Sequence, residues 1–203
     1  MKLILGSDLH GYLPKNTPSG DVMILAGDIL PATDIHSFVR NKLHPWFLNA
    51  PVKHIILTWG NHDWHAFNEL IGVCHAIVLI EQTVVIDGIK IYGSPWSFHF
   101  MRWGWMAPEA TLEKIYRDIP NDVGIIVSHT PPYGLCDKAN DGRFCGSRAL
   151  LKRMKSLPNL KLVVCGHIHE ARGRDGIVAN VSSVYNREGY CIPRPDPWTI
   201  VEI

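Results

Sequence analysis

The chain has no long apolar run, no Cys-x-x-Cys pair and no excess of either charge, and each lack removes a class of protein. Its 20 lysines and arginines face 19 aspartates and glutamates, so bulk electrostatics recommends neither a polynucleotide nor an anionic membrane surface as partner. No segment approaches the about 18 unbroken apolar residues of a membrane-spanning helix. The apolar stretch ahead of Asp8 is only Leu3–Leu5, short of the roughly 7–15 residues of a signal-peptide core, and a cytoplasmic location is the expectation. Cys74, Cys136, Cys145, Cys165 and Cys191 are odd in number, which fits reduced and mostly buried thiols rather than a disulfide framework. Asn180-Val181-Ser182 matches a glycosylation sequon, but it lies in a strand-like stretch and is read as chance.

What is present is ordinary globular material. Apolar residues make up 46% of the 203 and charged residues 19%, enough for one core, with a single domain over residues 1–203 as the expectation. Short runs rich in β-branched residues recur at Leu3–Leu5, Val22–Ala26, Ile55–Leu57, Val84–Ile86, Ile89–Tyr92, Ile125–Val127, Leu162–Cys165, Ile177–Val181 and Trp198–Val201. Each suits a buried strand. Asp87-Gly88 between two of them signals a tight hairpin. Helical periodicity marks Ile35–Leu48, with Pro45 expected to break or restart it, then Pro108–Ile119 and Ser147–Leu157. Pro131–Gly146 and Gly189–Pro197 read as loops. Strands alternating with helices imply mixed sheets covered by helices.

The residues that follow the strand-like runs carry the chemistry. They read Gly6-Ser7-Asp8-Leu9-His10-Gly11, then Gly27-Asp28, Gly60-Asn61-His62-Asp63, Ser128-His129 and Gly166-His167-Ile168-His169. Ligands of α/β sheets bind beyond the strand ends, so these loops can converge on one site. If still extended, Asp8 and His10 would face one side, as would His167 and His169. The glycines at 6, 27, 60 and 166 allow sharp turns off the strand ends. Oxygen and imidazole donors without a thiolate suit Mn, Fe, Zn or Ni. Asp-x-His or Gly-Asp alone is weak; all five motifs in this order, each after its own strand, are specific.

The set resembles the calcineurin-like metallophosphoesterase superfamily, whose motifs run Asp-x-His, Gly-Asp, Gly-Asn-His-Asp/Glu, His and Gly-His-x-His. That resemblance spans residues 8 to 169 and implies an α/β fold, a four-layer αββα sandwich of two mixed sheets. It implies two divalent metal ions, Mn first, with Fe, Zn, Ni or Mg as alternatives. Asp8, His10 and His169 would hold the first ion and Asn61, His129 and His167 the second, with Asp28 bridging. His62 would face the substrate, to protonate the leaving alkoxide or to stabilise charge on phosphorus, with Asp63 orienting it. Asp63 has a rival reading as N-cap of a helix over Trp64–Leu70. The runs Tyr92–Trp96, Asp141–Leu151 and Gly166–Glu170 resemble the small metallophosphoesterase-domain subfamily with cyclic-nucleotide phosphodiesterase activity.

The two carboxylates offset only half the formal charge of two divalent ions, leaving an attraction for a phosphate anion. Such ions also lower the pKa of bound water toward about 7, supplying hydroxide for direct attack without a covalent nucleophile. The implied activity is hydrolysis of a small phosphodiester such as a cyclic nucleotide. A phosphomonoesterase or protein phosphatase, a nuclease, and a non-catalytic scaffold are the alternatives; the intact motif set speaks against the scaffold. The aromatic segment Ser94–Trp105 is either folded core or a substrate wall, with Trp96 and His99 as candidate substrate contacts. Asn61 and Arg143 are further candidates. Arg148, Lys152, Arg153 and Lys155 read as a solvated helix face, and Tyr185–Pro197 shows no recognisable chemistry.

Overall fold

The computed structural model describes residues 1–63 and 75–203. The expected helix over Trp64–Leu70, together with His65 and Cys74, lies outside the described residues.

Every one of the nine apolar runs overlaps a strand, although Ile177, Val181 and Trp198 fall just outside theirs. The first sheet holds β1 (Lys2–Gly6), β2 (Gly20–Ala26), β3 (Val52–Thr58), β4 (Ile77–Val78) and β15 (Thr199–Glu202), in the order β15-β1-β2-β3-β4. Its β1 to β4 are parallel and β15 is the antiparallel edge. The second sheet holds β5 (Gln82–Ile86), β6 (Ile89–Ser94), β9 (Ile125–Ser128), β10 (Leu162–Cys165), β11 (Gly173–Asp175) and β12 (Val178–Asn180), in the order β11-β12-β10-β9-β6-β5. Its four central strands are parallel and both edges antiparallel. Asp87 and Gly88, joining β5 to β6, both have positive φ (48° and 78°), as a two-residue hairpin turn demands.

Alternation along β2 shows how the layers stack. Val22, Ile24 and Ala26 pack against β6, β9 and β10 through Ile91, Val127 and Val164, forming the core between the sheets. Met23 and Leu25 point the other way, onto Phe38, Val39, Leu43 and Phe47. On the far face of the second sheet, Ile126 and Val163 meet Leu112, Tyr116, Leu150 and Met154. The result is helix, sheet, sheet, helix, the expected αββα sandwich.

The helices follow the expectations with one physical difference. Residues 35–48 stay helical as α1 (Ile35–Phe38), a wider π-turn over Val39–Leu43 and α2 (His44–Leu48). Pro45 does not break the helix, because the π-turn just before it makes room for a ring that offers no N–H and would clash one turn back. Pro108 precedes α3 (Glu109–Arg117), and Ser147 caps α4 (Arg148–Met154) by accepting from the Leu150 amide. Short strands β7 (Ser97–Phe98), in the aromatic segment, and β8 (Met106–Ala107), just past it, pair with each other. The expected loop Gly189–Pro197 is partly strand: β13 (Val184–Arg187) and β14 (Tyr190–Pro193) form a hairpin. Among the described residues no helix is long and apolar enough to cross a membrane.

Candidate metal centre

The carboxyl ends of β1, β2 and β3 meet those of β9 and β10, and the two sheets are tied together there. The Ser183 amide donates to Ser7 O at 2.8 Å. The His167 amide lies 3.1 Å from both carboxylate oxygens of Asp8, and His129 Nδ1 donates to Ala26 O at 2.8 Å.

Asp8 and His10 converge for a reason other than the extended geometry expected from sequence. Their φ angles are 55° and 45°; Asp28 (52°) and His167 (68°) are left-handed too. Each such residue costs about 1–2 kcal/mol outside glycine, comparable to what one fully buried Leu or Ile contributes at about 1.5–3 kcal/mol. The packed strands on both sides can hold that strain. Two glycines are required by close approach. A Cβ on Gly60 would stand 2.2 Å from Asp28 Oδ1, and one on Gly166 would stand 2.2 Å from Asp8 Oδ2.

The side chains brought together are Asp8, His10, Asp28, Asn61, His62, His129, His167 and His169. Asp28 Oδ2 lies 3.4 Å from His129 Nε2 and 3.9 Å from His10 Nε2, while Asp28 Oδ1 accepts from the His62 amide at 2.8 Å. Asp8 Oδ1 is 3.3 Å from His169 Nε2, and His129 Nε2 is 3.0 Å from Asn61 Oδ1. The His167 ring packs 4.9 Å from that of His129. Among the described residues, three groups have ligand atoms mutually within 4.8 Å: Asp8, Asp28 and His129; His10, Asp28 and His62; and His10, His169 and Cys191.

Charge is balanced by pairing. Burial opposes the His129 cation, but Asp28 outweighs it and lifts the group to about 9. Burial likewise opposes His169, which Asp8 raises to about 11. On the carboxylate side, burial would raise Asp8, yet His169 holds it at about 2, and His129 keeps Asp28 well below the usual range. Burial lowers His62, and burial with the nearby His129 charge drives His167 to about 3.

Asp63 acts on the His62 loop through the backbone. Its carboxylate accepts from the amides of Ile29 (3.0 Å), Leu30 (2.9 Å) and Gly60 (2.9 Å). It therefore reaches His62 by bracing the loop, not by bonding the imidazole. Burial and the charge of Asp28 push it up to about 7.

Of the candidate substrate contacts, Asn61 is in the cluster. Trp96 packs edge-on against Trp105 and its carbonyl accepts from Tyr116 Oη. His99 is held by its amide to Ala107 O. Arg143 pairs with Asp141 at 2.6 Å beside a cavity of about 470 Å³ also lined by Phe98, Glu109, Tyr133, Phe144 and Arg148. The aromatic segment instead presents Trp103, whose ring is 4.3 Å from that of His62, and Phe100, 5.5 Å from that of His167.

Three supporting residues escape a reading of the sequence. Asn180 Nδ2 donates to the carbonyls of Cys136, Gly166 and Ile168 and so shapes the Gly166–His169 turn; the signal was an asparagine inside an apolar run, which must be bonded when buried. Asn186 and Cys191, on β13 and β14, reach His169 and His10.

Comparison with known proteins agrees with this geometry. The calcineurin-like phosphoesterase family model matches residues 2–171. The chain belongs to that family. It is 28% identical to human metallophosphoesterase domain-containing protein 1, over 97% of this chain and 68% of the relative. It is 29% identical to UPF0046 protein C25E10.12 of Caenorhabditis elegans, over 90% of this chain and 71% of that one. Membership brings metal-dependent hydrolysis of phosphoric esters as the activity and divalent metal ions as its requirement.

The donors fit such ions. His129 and His169 each donate Nδ1–H to an oxygen (Ala26 O, Asn186 Oδ1), so Nε2 is the nitrogen that would coordinate once an ion displaces its proton. Two imidazole nitrogens about 2.0–2.1 Å from one tetrahedral ion stand about 3.3 Å apart, and the His10 and His169 Nε2 atoms are 3.3 Å apart.

Proposed function

We propose that the chain hydrolyses a small phosphodiester, a cyclic nucleotide being the candidate class. Two divalent ions would be held by Asp8, His10 and His169 on one side and Asn61, His129 and His167 on the other, with Asp28 between. The observation that carries this reading is the Asp28 carboxylate, one oxygen facing both His10 and His129 and the other fixed by the His62 amide. When bound, such ions supply positive charge for the phosphate oxygens and a water acidic enough to attack at neutral pH. The second position, with oxygen and imidazole donors alone, is proposed for Mn²⁺.

The chain's own residues would do the rest. His62 is half-exposed beside Asp28; burial lowers it in the free chain, and phosphate oxygens against its ring would favour the cation that passes a proton to the leaving alkoxide. Asp63 braces the loop that aims His62. Trp103 and Phe100 flank the imidazoles of His62 and His167 and would exclude water and stack on a flat group of the substrate. The free thiols of Cys136, Cys145, Cys165 and Cys191 support a cytoplasmic setting.

The test is hydrolysis of bis-p-nitrophenyl phosphate beside p-nitrophenyl phosphate with Mn²⁺, each with a chelator control. Chelator-sensitive turnover favouring the diester, extended to cyclic nucleotides, is the expected result. Preference for the monoester overturns the diester assignment.

A further inference from the structure

The β13–β14 hairpin delivers two side chains to the first metal position that lie outside the family's motifs. Asn186 and Cys191 are directly opposed across the hairpin, so both side chains leave the same face. The Asn186 amide oxygen accepts from His169 Nδ1 at 2.9 Å, which fixes the tautomer that turns Nε2 toward Asp8 and His10. Cys191 Sγ stands 3.7 Å from the same amide oxygen, and its sulfur, His10 and His169 have ligand atoms mutually within 4.8 Å. The hairpin is clamped in place. The Arg194 amide donates to Ser183 O (2.9 Å), Arg194 Nε to Val184 O (3.0 Å) and its Nη2 to His169 O (2.9 Å). The strand that carries Cys191 is thereby tied to the backbone of a candidate ligand.

We propose that Cys191 Sγ is a further donor of the first metal position, beside His10 and His169, and that it biases this position toward a thiophilic ion such as Zn²⁺ over Mn²⁺ or Mg²⁺. The proposal rests on the two-metal reading above and deepens it. Thiolate and imidazole together are a donor set that tetrahedral Zn²⁺ accepts and that hard, oxygen-preferring ions do not favour. Binding the sulfur releases the thiol proton to solvent; no oxidant or further reactant is needed. The two positions then differ in kind, the first soft on one side, the second oxygen and imidazole throughout.

The test is a Co²⁺ titration of the full chain kept reduced, read by absorption and by bound-metal analysis. The expected result is a near-ultraviolet thiolate-to-cobalt charge-transfer band with the wild-type chain. In Cys191→Ser the band is lost while cobalt still binds, and the Zn²⁺-over-Mn²⁺ preference of the first position falls at least about tenfold. Two bound Co²⁺ with no such band, or a band unchanged in Cys191→Ser, overturns the cysteine assignment and leaves the two-metal centre standing. No cobalt bound at all overturns the centre and the cysteine assignment with it. Asn186→Ala separates the neighbours: it should weaken metal retention by loosening His169 yet keep the charge-transfer band.

Discussion

Asp28 and His62 are joined through the backbone: the His62 amide donates to Asp28 Oδ1 at 2.8 Å. The carboxylate that faces His10 and His129 with its other oxygen is thus also the anchor of the loop bearing the proposed general acid. Asp28→Asn should keep the shape but remove the shared negative charge. Bound metal is expected to fall at both positions together, measured by elemental analysis after desalting. Loss of one equivalent with full retention of the other would contradict the bridging role.

His62→Ala should retain both metals and lower turnover by roughly 10²–10⁴-fold. A general acid matters least when the leaving group is already acidic. The loss should therefore be smaller for a p-nitrophenyl diester than for an alkyl diester, and equal losses on the two substrates would argue against proton donation by His62.

Metal affinity should depend steeply on pH. With His129 raised to about 9 and His169 to about 11, both hold protons near neutrality in the metal-free chain, and ions must displace them. Calorimetry in buffers of different ionisation enthalpy should show proton release, with apparent affinity rising from pH 6 toward about 9. The metal-free chain should behave oppositely. Groups raised above the ordinary 6.5 stabilise the fold fully below that value, and the contribution is lost as pH rises through about 9 for His129 and about 11 for His169.

Gly166→Ala tests close packing at the centre. The added methyl would stand 2.0 Å from Ser7 Oγ and 2.2 Å from Asp8 Oδ2, an overpacking of about 1–3 kcal/mol. Thermal melting should fall by several degrees and the first metal should be lost. Gly134→Ala is the control: its φ of 81° strains alanine, but nothing lies within 4 Å. It should cost stability and spare both metals.

Trp103 is 42% exposed and its ring lies 4.3 Å from that of His62. If it stacks on substrate, Trp103→Ala should raise KM for a nucleobase-bearing diester by about 5- to 150-fold, with little effect on a methyl diester. A uniform change would make it a structural cover.

Particular residues show why much of this was readable in the sequence. Val22, Ile24 and Ala26 alternate with Met23 and Leu25 because each strand is buried on two faces, and such runs need no tertiary information to be seen. Asp87-Gly88 declares its turn because two positive φ angles demand those residue types. The hairpin after Val184 hid for the same kind of reason. Its turn is Glu188-Gly189, with φ 53° and 83°, but glutamate rarely advertises a left-handed turn, and Pro193, Pro195 and Pro197 read as loop. Cys191 and Asn186 stayed invisible with it. The left-handed ligands were hidden too, since a local spacing cannot tell an extended Asp8-x-His10 from a coiled one. The bracing role of Asp63 depends on amides about thirty residues upstream, which only the folded chain brings near.

The most direct measurement is the return of activity to chelator-stripped protein as divalent metal is added back in counted equivalents, followed with bis-p-nitrophenyl phosphate. Turnover that is absent without metal and needs the second equivalent to reach its plateau is the predicted result. Full turnover without metal, or a plateau at one equivalent, would contradict a two-metal centre.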